Sequence, residues 1–517
     1  MTIHLSILLW LPLVAGVLGL LVPARASRWV VIGGSVLTLA YAIVALAKYE
    51  TGVDGLQFVT DDLWISQLGI HYKLGLDGLN LILLVLTTVL FTAAFVWASR
   101  TEWERPRLFW FWFALMETGV LGAFMAQDLI LFVAFFDLML LPVLFLTGQW
   151  GTGDRTAAIT KLFIYTLAGS LLMLAAAVAT GVLTAQDTGA HISFAFSDLA
   201  KSPLGKGSQE WIFLCFAAAF LVKMPAFPFH GWMPDGYRAM PLPVLAVFSA
   251  ILSKVAAYGF LRVVLPLFPD ATVHFQTLML LLALASVLYG SAMAFTVTNI
   301  RLILGYSSIA QLGFIVLGVF ALQDDGAQGA LLQSVNHGLV VAPLIFIAGL
   351  LAARAKGSED IRDMGGISFR APVLATVFLI FALASLAMPG SSNFVGEFLI
   401  LIGLFESKMA ISIIAFTGVV MASVYMLRAF IRAMHNRVGP DVESKEMSLR
   451  DGLVLVPLVL LVLALALYPQ FALERSQSAA TTVVLAPTES AHGPFDAPES
   501  ATGDPVIVPQ AQGEATP

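Results

Sequence analysis

One cysteine, Cys215, among 517 residues leaves no disulfide within the chain, no CxxC pair and no iron–sulfur cluster held by this protein alone. Charge is nearly as scarce: Asp, Glu, Lys and Arg make up 12% of the sequence, where a soluble domain carries about a quarter. There is no Walker loop, no HExxH and no clustered Cys/His set, so nucleotide hydrolysis and metal catalysis find no residues here. GTGDRT at 151–156 lacks the closing glycine of a nucleotide fingerprint and follows an apolar helix rather than a strand. No nucleic-acid partner is expected. What fills the chain is apolar: hydrophobic residues reach 59% and the mean hydropathy is +0.89. These values describe an all-α polytopic membrane protein.

A hydrocarbon core takes about 20 apolar residues per helix, and about fourteen stretches meet that length. They lie near 4–22, 29–47, 78–99, 108–125, 129–148, 160–183, 211–228, 242–265, 275–297, 302–320, 328–353, 372–401, 409–432 and 452–470. Ala24-Arg25-Ala26 resembles a signal cleavage site, but no Lys or Arg precedes the apolar run, so the first stretch is expected to stay as a span. Eighteen of the 27 Lys and Arg residues fall in loops after odd-numbered stretches and six on the other side. The positive-inside rule then predicts both termini on the non-cytoplasmic face. The 48–76 connection, with Asp54, Asp61, Asp62 and Tyr72-Lys73, is expected to form a short external hairpin or ordered loop.

Two stretches are broken. The seventh is interrupted at 221–234 by Pro225 and Pro228, and the twelfth at 386–398 by Pro389, Gly390 and Gly396. Proline frees a carbonyl, which membrane depth tolerates only inside protein or beside water. In stretches 4–8 and 9–13, taken as two groups of five, each break falls on the fourth member. Groups of odd number run in opposite senses, so the pattern predicts two inverted five-helix repeats with broken helices. The expected division is 1–107 for the first three helices, 108–265 and 266–434 for the repeats, and 435–474 for a loop and the last helix. The polar, Pro-rich remainder, 475–517, is expected to be a disordered external tail.

Charges inside the apolar runs carry the functional signal. Lys223 and Lys254 each sit where an ammonium costs at least ~2.5–3.5 kcal/mol, and chains that keep such residues usually move ions or protons with them. Asp137, mid-span in LILFVAFFDLMLLPVLFL, is the natural ion-pair partner of Lys223. Lys254, His337 and Glu397 complete a basic–basic–acidic series toward the second break. Plainer roles compete. Lys223 satisfies carbonyls freed by Pro225, His337 makes a structural hydrogen bond, and His230, near Trp232, closes a helix end. Glu117 and Asp128 lie nearer span ends, as caps or snorkelling groups, and Glu406 and Lys408 lie at the external surface.

Four segments, VKMPAFPFHGWMPD (222–235), ILSKVAAYGFLR (251–262), GYSSIAQLGF (305–314) and AMPGSSNFVGEFLIL (387–401), resemble the antiporter-like membrane subunits, M-type, of proton-pumping NADH:quinone oxidoreductase, respiratory complex I. The resemblance implies fourteen helices with two inverted five-helix repeats. It also implies proton-transfer roles for Asp137 on the fifth helix, Lys223 on the broken helix, the central Lys254, His337 on the eleventh helix and the terminal acid Glu397, with His230, Glu117, Pro225 and Pro389 in support. In that scheme, weakening of the Asp137–Lys223 pair sends a proton through Lys254 and His337 to Glu397 for release. The chain itself would hold no cofactor and no metal. NADH, flavin, iron–sulfur clusters and quinone would belong to partner subunits, and its partners would be the other membrane and peripheral subunits of complex I in the bacterial inner membrane. Two residues depart from the pattern: Asp137 is one methylene shorter than the usual Glu, and Gln311 stands where close relatives often carry His. A multisubunit cation/proton antiporter, a membrane arm of a hydrogenase or ferredoxin-driven complex, and a structural scaffold remain the alternatives.

Overall fold

The computed structural model describes residues 3–439 and 441–492. Eleven helices among them are long and apolar enough to cross a membrane, joined by two shorter apolar ones. In chain order the principal helices are α1 (Leu5–Leu21), α2 (Ala24–Lys48), α3 (Leu81–Ala98), α4 (Pro106–Met125), α5 (Leu129–Trp150), α6 (Arg155–Thr188), α7 (Lys206–Lys223) and α8 (Leu242–Leu267). They continue as α9 (Pro269–Thr296), α10 (Ile300–Phe320), α11 (Asp324–Arg354), α12 (Pro372–Ser385), α13 (Ser392–Met434), α14 (Leu449–Leu467) and α15 (Gln470–His492). Twelve of the fourteen apolar stretches lie essentially on helix, and the seventh and twelfth are helical except at their breaks. The apolar windows of α8 and α10 are wholly enclosed by protein, whereas α2, α6, α13 and α14 bury only a third of theirs and leave an apolar flank. Buried central helices and exposed flanks of similar hydrophobicity are what a lipid solvent selects.

Caps fix where several helices begin. Asp128 accepts from Ile130 N and Leu131 N at the start of α5, and from His71 N on the neighbouring hairpin. Ser448 and Asp451 form a reciprocal capping box on α14. The 48–76 connection is a hairpin, as expected, with β1 (Gln57–Ile65) antiparallel to β2 (Ile70–Leu76). Asp61 bridges Lys73 and His71 across it. Just beyond β2, Asp77 accepts from Arg262 Nη2 at 2.5 Å and so ties the hairpin to the end of α8.

Three expectations need correction. Gly396 belongs inside α13 rather than to the break, which spans 386–391 and has Gly390 at φ +92°. The twelfth and thirteenth stretches meet inside α13, where Lys408 departs from helical geometry (φ −145°, ψ 67°). The tail boundary at 475 falls within α15. Ala472, Ser476, Ala480 and Val483 recur at helical spacing and are buried, so a small-residue stripe orders a segment that reads as polar and Pro-rich. The rest of the expected tail, 493–517, lies outside the described residues.

Close approach of α11 and α13 depends on glycine. A Cβ at Gly329 would lie 2.7 Å from Ile400 N, and one at Gly396 would lie 2.6 Å from Gln333 Oε1. Small residues let membrane helices touch backbone to backbone. Gly329→Val is expected to force the pair apart and destabilise the protein by about 1–3 kcal/mol. An unchanged thermal unfolding midpoint of the solubilised assembly would contradict this packing.

Candidate functional site

The first helix break ends α7 on Lys223, whose neighbours Val222 and Leu221 lose their helical partners to Pro225 and the turns that follow. Those carbonyls are taken within the break: Ala226 N donates to Leu221 O at 3.0 Å and Trp232 Nε1 to Val222 O at 2.9 Å. The freed carbonyls therefore do not occupy the lysine. Its Nζ instead donates to Asp137 Oδ1 at 2.6 Å and Phe136 O at 3.1 Å, and sits 3.7 Å from the Phe136 ring centroid. The shorter acid at 137 closes the pair, helped by Ser170 Oγ, which donates to the same oxygen at 2.5 Å. The two ends differ in exposure, 1% for the Lys223 side chain and 38% for Asp137, which opens to the flank of the bundle beside α6.

Lys254 lies in α8 between two π-helical turns, Phe248–Leu252 and Phe260–Val264. A π turn shifts the backbone ladder and leaves carbonyls available, a feature common at functional positions. Lys254 Nζ uses one, donating to Ser249 O at 2.7 Å and to Ser253 Oγ at 3.2 Å. No carboxylate among the described residues pairs with it. Beside it, Tyr237 donates to Ser249 Oγ, which contacts Ser308 Oγ at 3.3 Å. His337 on α11 is buried, and its Nδ1 has no partner among the described residues.

At the second break, α13 begins at Ser392 and places Glu397 in its second turn, 3% exposed. Two amides clamp it: Gln311 Nε2 donates to Glu397 Oε1 at 2.8 Å and Gln333 Nε2 at 3.2 Å, while Gln333 also donates to Gln311 Oε1 at 2.7 Å. Gln311 thus serves the acid by hydrogen bonding where it has no proton to offer. The breaks are complementary in charge. Lys223 sits at a helix C-terminus and Glu397 near a helix N-terminus, and the partial charges of helix ends favour both placements.

The structure brings Asp137 to Lys223 and buries Lys254 and His337 on two helices, α8 and α11, that pack together. Glu117 stays apart, buried between α4 and α2, where Ser35 Oγ donates to its Oε1 at 3.3 Å. His230 lies in the first break, stacked on Phe227 and tilted against Tyr289. Pro389 lies in the second break and contributes no side-chain polarity. Ser170, Gln333, Ser249 and the Asp77 partner of Arg262 were not singled out in the sequence. Gln333 alone had a signal, four residues before His337 on the same helical face. No group of three His, Cys, Asp or Glu side chains among the described residues could hold a metal.

Comparison with known proteins follows this geometry. Residues 126–424 match the family described as NADH:quinone oxidoreductase/Mrp antiporter, TM. NADH-quinone oxidoreductase subunit M of Rhodobacter capsulatus is 34% identical over 482 residues, which cover 90% of this chain and 93% of that protein. A chain of respiratory complex I from Thermus thermophilus with bound NADH superposes with a TM-score of 0.86 at 29% identity, over 94% of this chain and 100% of that one. A chain of the Mrp complex from Dietzia sp. superposes at 0.80 with 20% identity over 93% of this chain and 52% of that one, a likeness of fold alone. The family match spans more than half of the sequence and the Rhodobacter relative nearly all of it, so this chain belongs to the membrane-subunit family of NADH:quinone oxidoreductases and Mrp antiporters.

Proposed function

We propose that this chain is a proton-translocating membrane subunit of an NADH:quinone oxidoreductase. The observation that carries the reading is the Asp137–Lys223 pair, 2.6 Å across at the end of a broken helix, with the ammonium fully enclosed. Opening the pair makes Lys223 a proton donor, and the proton passes to Lys254, to His337 and to Glu397 at the second break. Moving one charge against 100 mV costs about 2.3 kcal/mol, so these steps must be driven by redox chemistry elsewhere in the assembly. The half-exposed flank of Asp137 supports a neighbouring membrane subunit as cover, since lipid would not solvate a carboxylate. We place both termini on the non-cytoplasmic face of a bacterial inner membrane, with fourteen crossings and inverted repeats over 108–265 and 266–434. The Lys and Arg bias and the matched positions of the two breaks support that arrangement.

Lys223→Ala in an assembled complex is expected to lower proton translocation by about a hundredfold or more, the scale of losing a positioned proton-transfer group. Asp137→Glu retains most activity and Asp137→Ala little. Equal rates for the Ala and Glu variants, measured by acidification in proteoliposomes, would remove charge at 137 from the mechanism.

Glu397→Gln keeps the size and the amide contacts of this position but cannot titrate. Protons delivered per electron should fall while the complex stays intact on native gels. An undiminished ratio would take Glu397 out of the path.

Electrons have nowhere to reside in this chain, so we expect the purified subunit to oxidise no NADH, reduce no quinone and show no flavin, haem or iron–sulfur absorbance. Cofactor bound stoichiometrically to the isolated subunit would overturn the assignment. Sodium or potassium flux without any redox partner would favour an antiporter.

A further inference from the structure

Beyond Lys254, α8 runs on toward the hairpin face, and its next two polar side chains, Tyr258 and Arg262, follow at intervals of four residues. A cavity of about 400 Å³ lies at that face, lined by Tyr49, Asp54, Gln127 and Arg475 and, where α8 reaches it, by Arg262 and Asp77. Between this cavity and Lys254 stands one bonded group. Arg262 Nη2 donates to Asp77 Oδ2 at 2.5 Å and its Nε to the Tyr258 hydroxyl at 2.9 Å. Tyr258 is 1% exposed, with the ring centroids of Phe124 and Phe132 5.3 and 6.4 Å from its own, and its hydroxyl donates to Phe124 O at 3.0 Å. That carbonyl also accepts from Asn80 Nδ2 at 2.9 Å.

The order of donors and acceptors decides what this group can do. A proton arriving at Tyr258 from the side of Lys254 meets two partners. One is a guanidinium that already holds all its hydrogens and offers no acceptor. The other is an amide carbonyl whose two lone pairs are both taken, by the phenol and by Asn80. Neither passes a proton on. The fixed positive charge also repels hydronium, as arginine does where pores exclude protons and cations. Asp77 keeps that charge in place and is itself fastened by Leu79 N, which donates to its Oδ1 at 3.0 Å. An ion pair that merely tied the hairpin to α8 would account for Asp77, but not for a phenol and a carbonyl saturated behind it.

We propose that Arg262, set in place by Asp77 and Tyr258, bars protons from passing between Lys254 and the cavity at the hairpin face. The inference rests on the reading of this chain as a proton carrier with that face outside. Lys254 is then filled and emptied only from the other side and across to α11, and the membrane potential drives no protons back along α8. Arg262 takes up and releases no proton; it acts by its charge and by its lack of an acceptor.

The test uses the assembled complex in proteoliposomes, first without NADH and with a potassium diffusion potential imposed by valinomycin. Arg262→Gln removes the charge and supplies an acceptor, so passive proton entry should rise by about tenfold while sodium permeation stays unchanged. Given NADH, the same variant should go on oxidising it and deliver fewer protons per electron. Arg262→Lys keeps the charge and adds no acceptor, and should stay as tight as the unaltered complex. A tight membrane in Arg262→Gln, equal leaks in the Gln and Lys variants, or a leak shared by sodium would each overturn the proposal, the last by showing a general loosening of the bundle. If Arg262→Gln does not assemble, Tyr258→Phe decides: an unchanged proton yield supports the barrier, because the phenol carries nothing, and a collapse of the yield refutes it by making Tyr258 a relay. Lys223→Ala separates the two levels. Full translocation there would sink the proton-carrier reading itself, whereas loss there with a tight Arg262→Gln membrane would sink only the barrier.

Discussion

Inside hydrocarbon a backbone carbonyl that loses its helical partner has no water to turn to, and this constraint governs the first helix break. Trp232 and Ala226 answer the carbonyls that the break around Pro225 exposes. Had they not, the nearest cation would have been drawn to them, and Asp137 would have been left as an unpaired carboxylate on an apolar flank, an arrangement costing several kcal/mol. The indole, the break and the ion pair are one unit.

The second break solves the opposite problem. There the charge to be held is negative, the helix end is an N-terminus, and the partners are neutral amides from α10 and α11 rather than a cation. An acid held by amides can gain and lose a proton without stranding an oppositely charged neighbour. Lys254 lies between these extremes, bonded to a carbonyl and a hydroxyl and to no counter-ion. The polar residues thus pass from a full ion pair, through a lysine without a counter-ion, to an amide-held carboxyl.

Much of this could be read from the sequence because few alternatives exist for charge in an apolar run. Lys223 and Asp137 had to find each other, and Pro225 and Pro389 had to break their helices. The hairpin was legible from its acidic and aromatic residues. What stayed hidden was either neutral or geometric. Gln311 and Gln333 are uncharged and meet Glu397 across more than sixty residues of chain, so no local pattern announces the clamp. Ser170 is one serine among many. The helix at 470–492 was concealed because its buried stripe is built of Ala, Ser and Val inside a polar composition. Gly396 was assigned to the break by proximity, although its role is to let α11 and α13 touch.

The π turns on either side of Lys254 have a consequence for how this segment tolerates change in length. Each α-helical residue advances the helix by about 100°, and a π turn accommodates one residue more than the regular ladder holds. Lys254 follows the first turn and donates back to its Ser249 carbonyl, while Arg262 lies within the second and reaches Asp77. Loss of a single codon in either turn would restore an unbroken α-helix and swing everything beyond it by more than a quarter of a circle. Along α8, length is therefore under tighter constraint than composition: an apolar residue can be exchanged for another, but none can be spared.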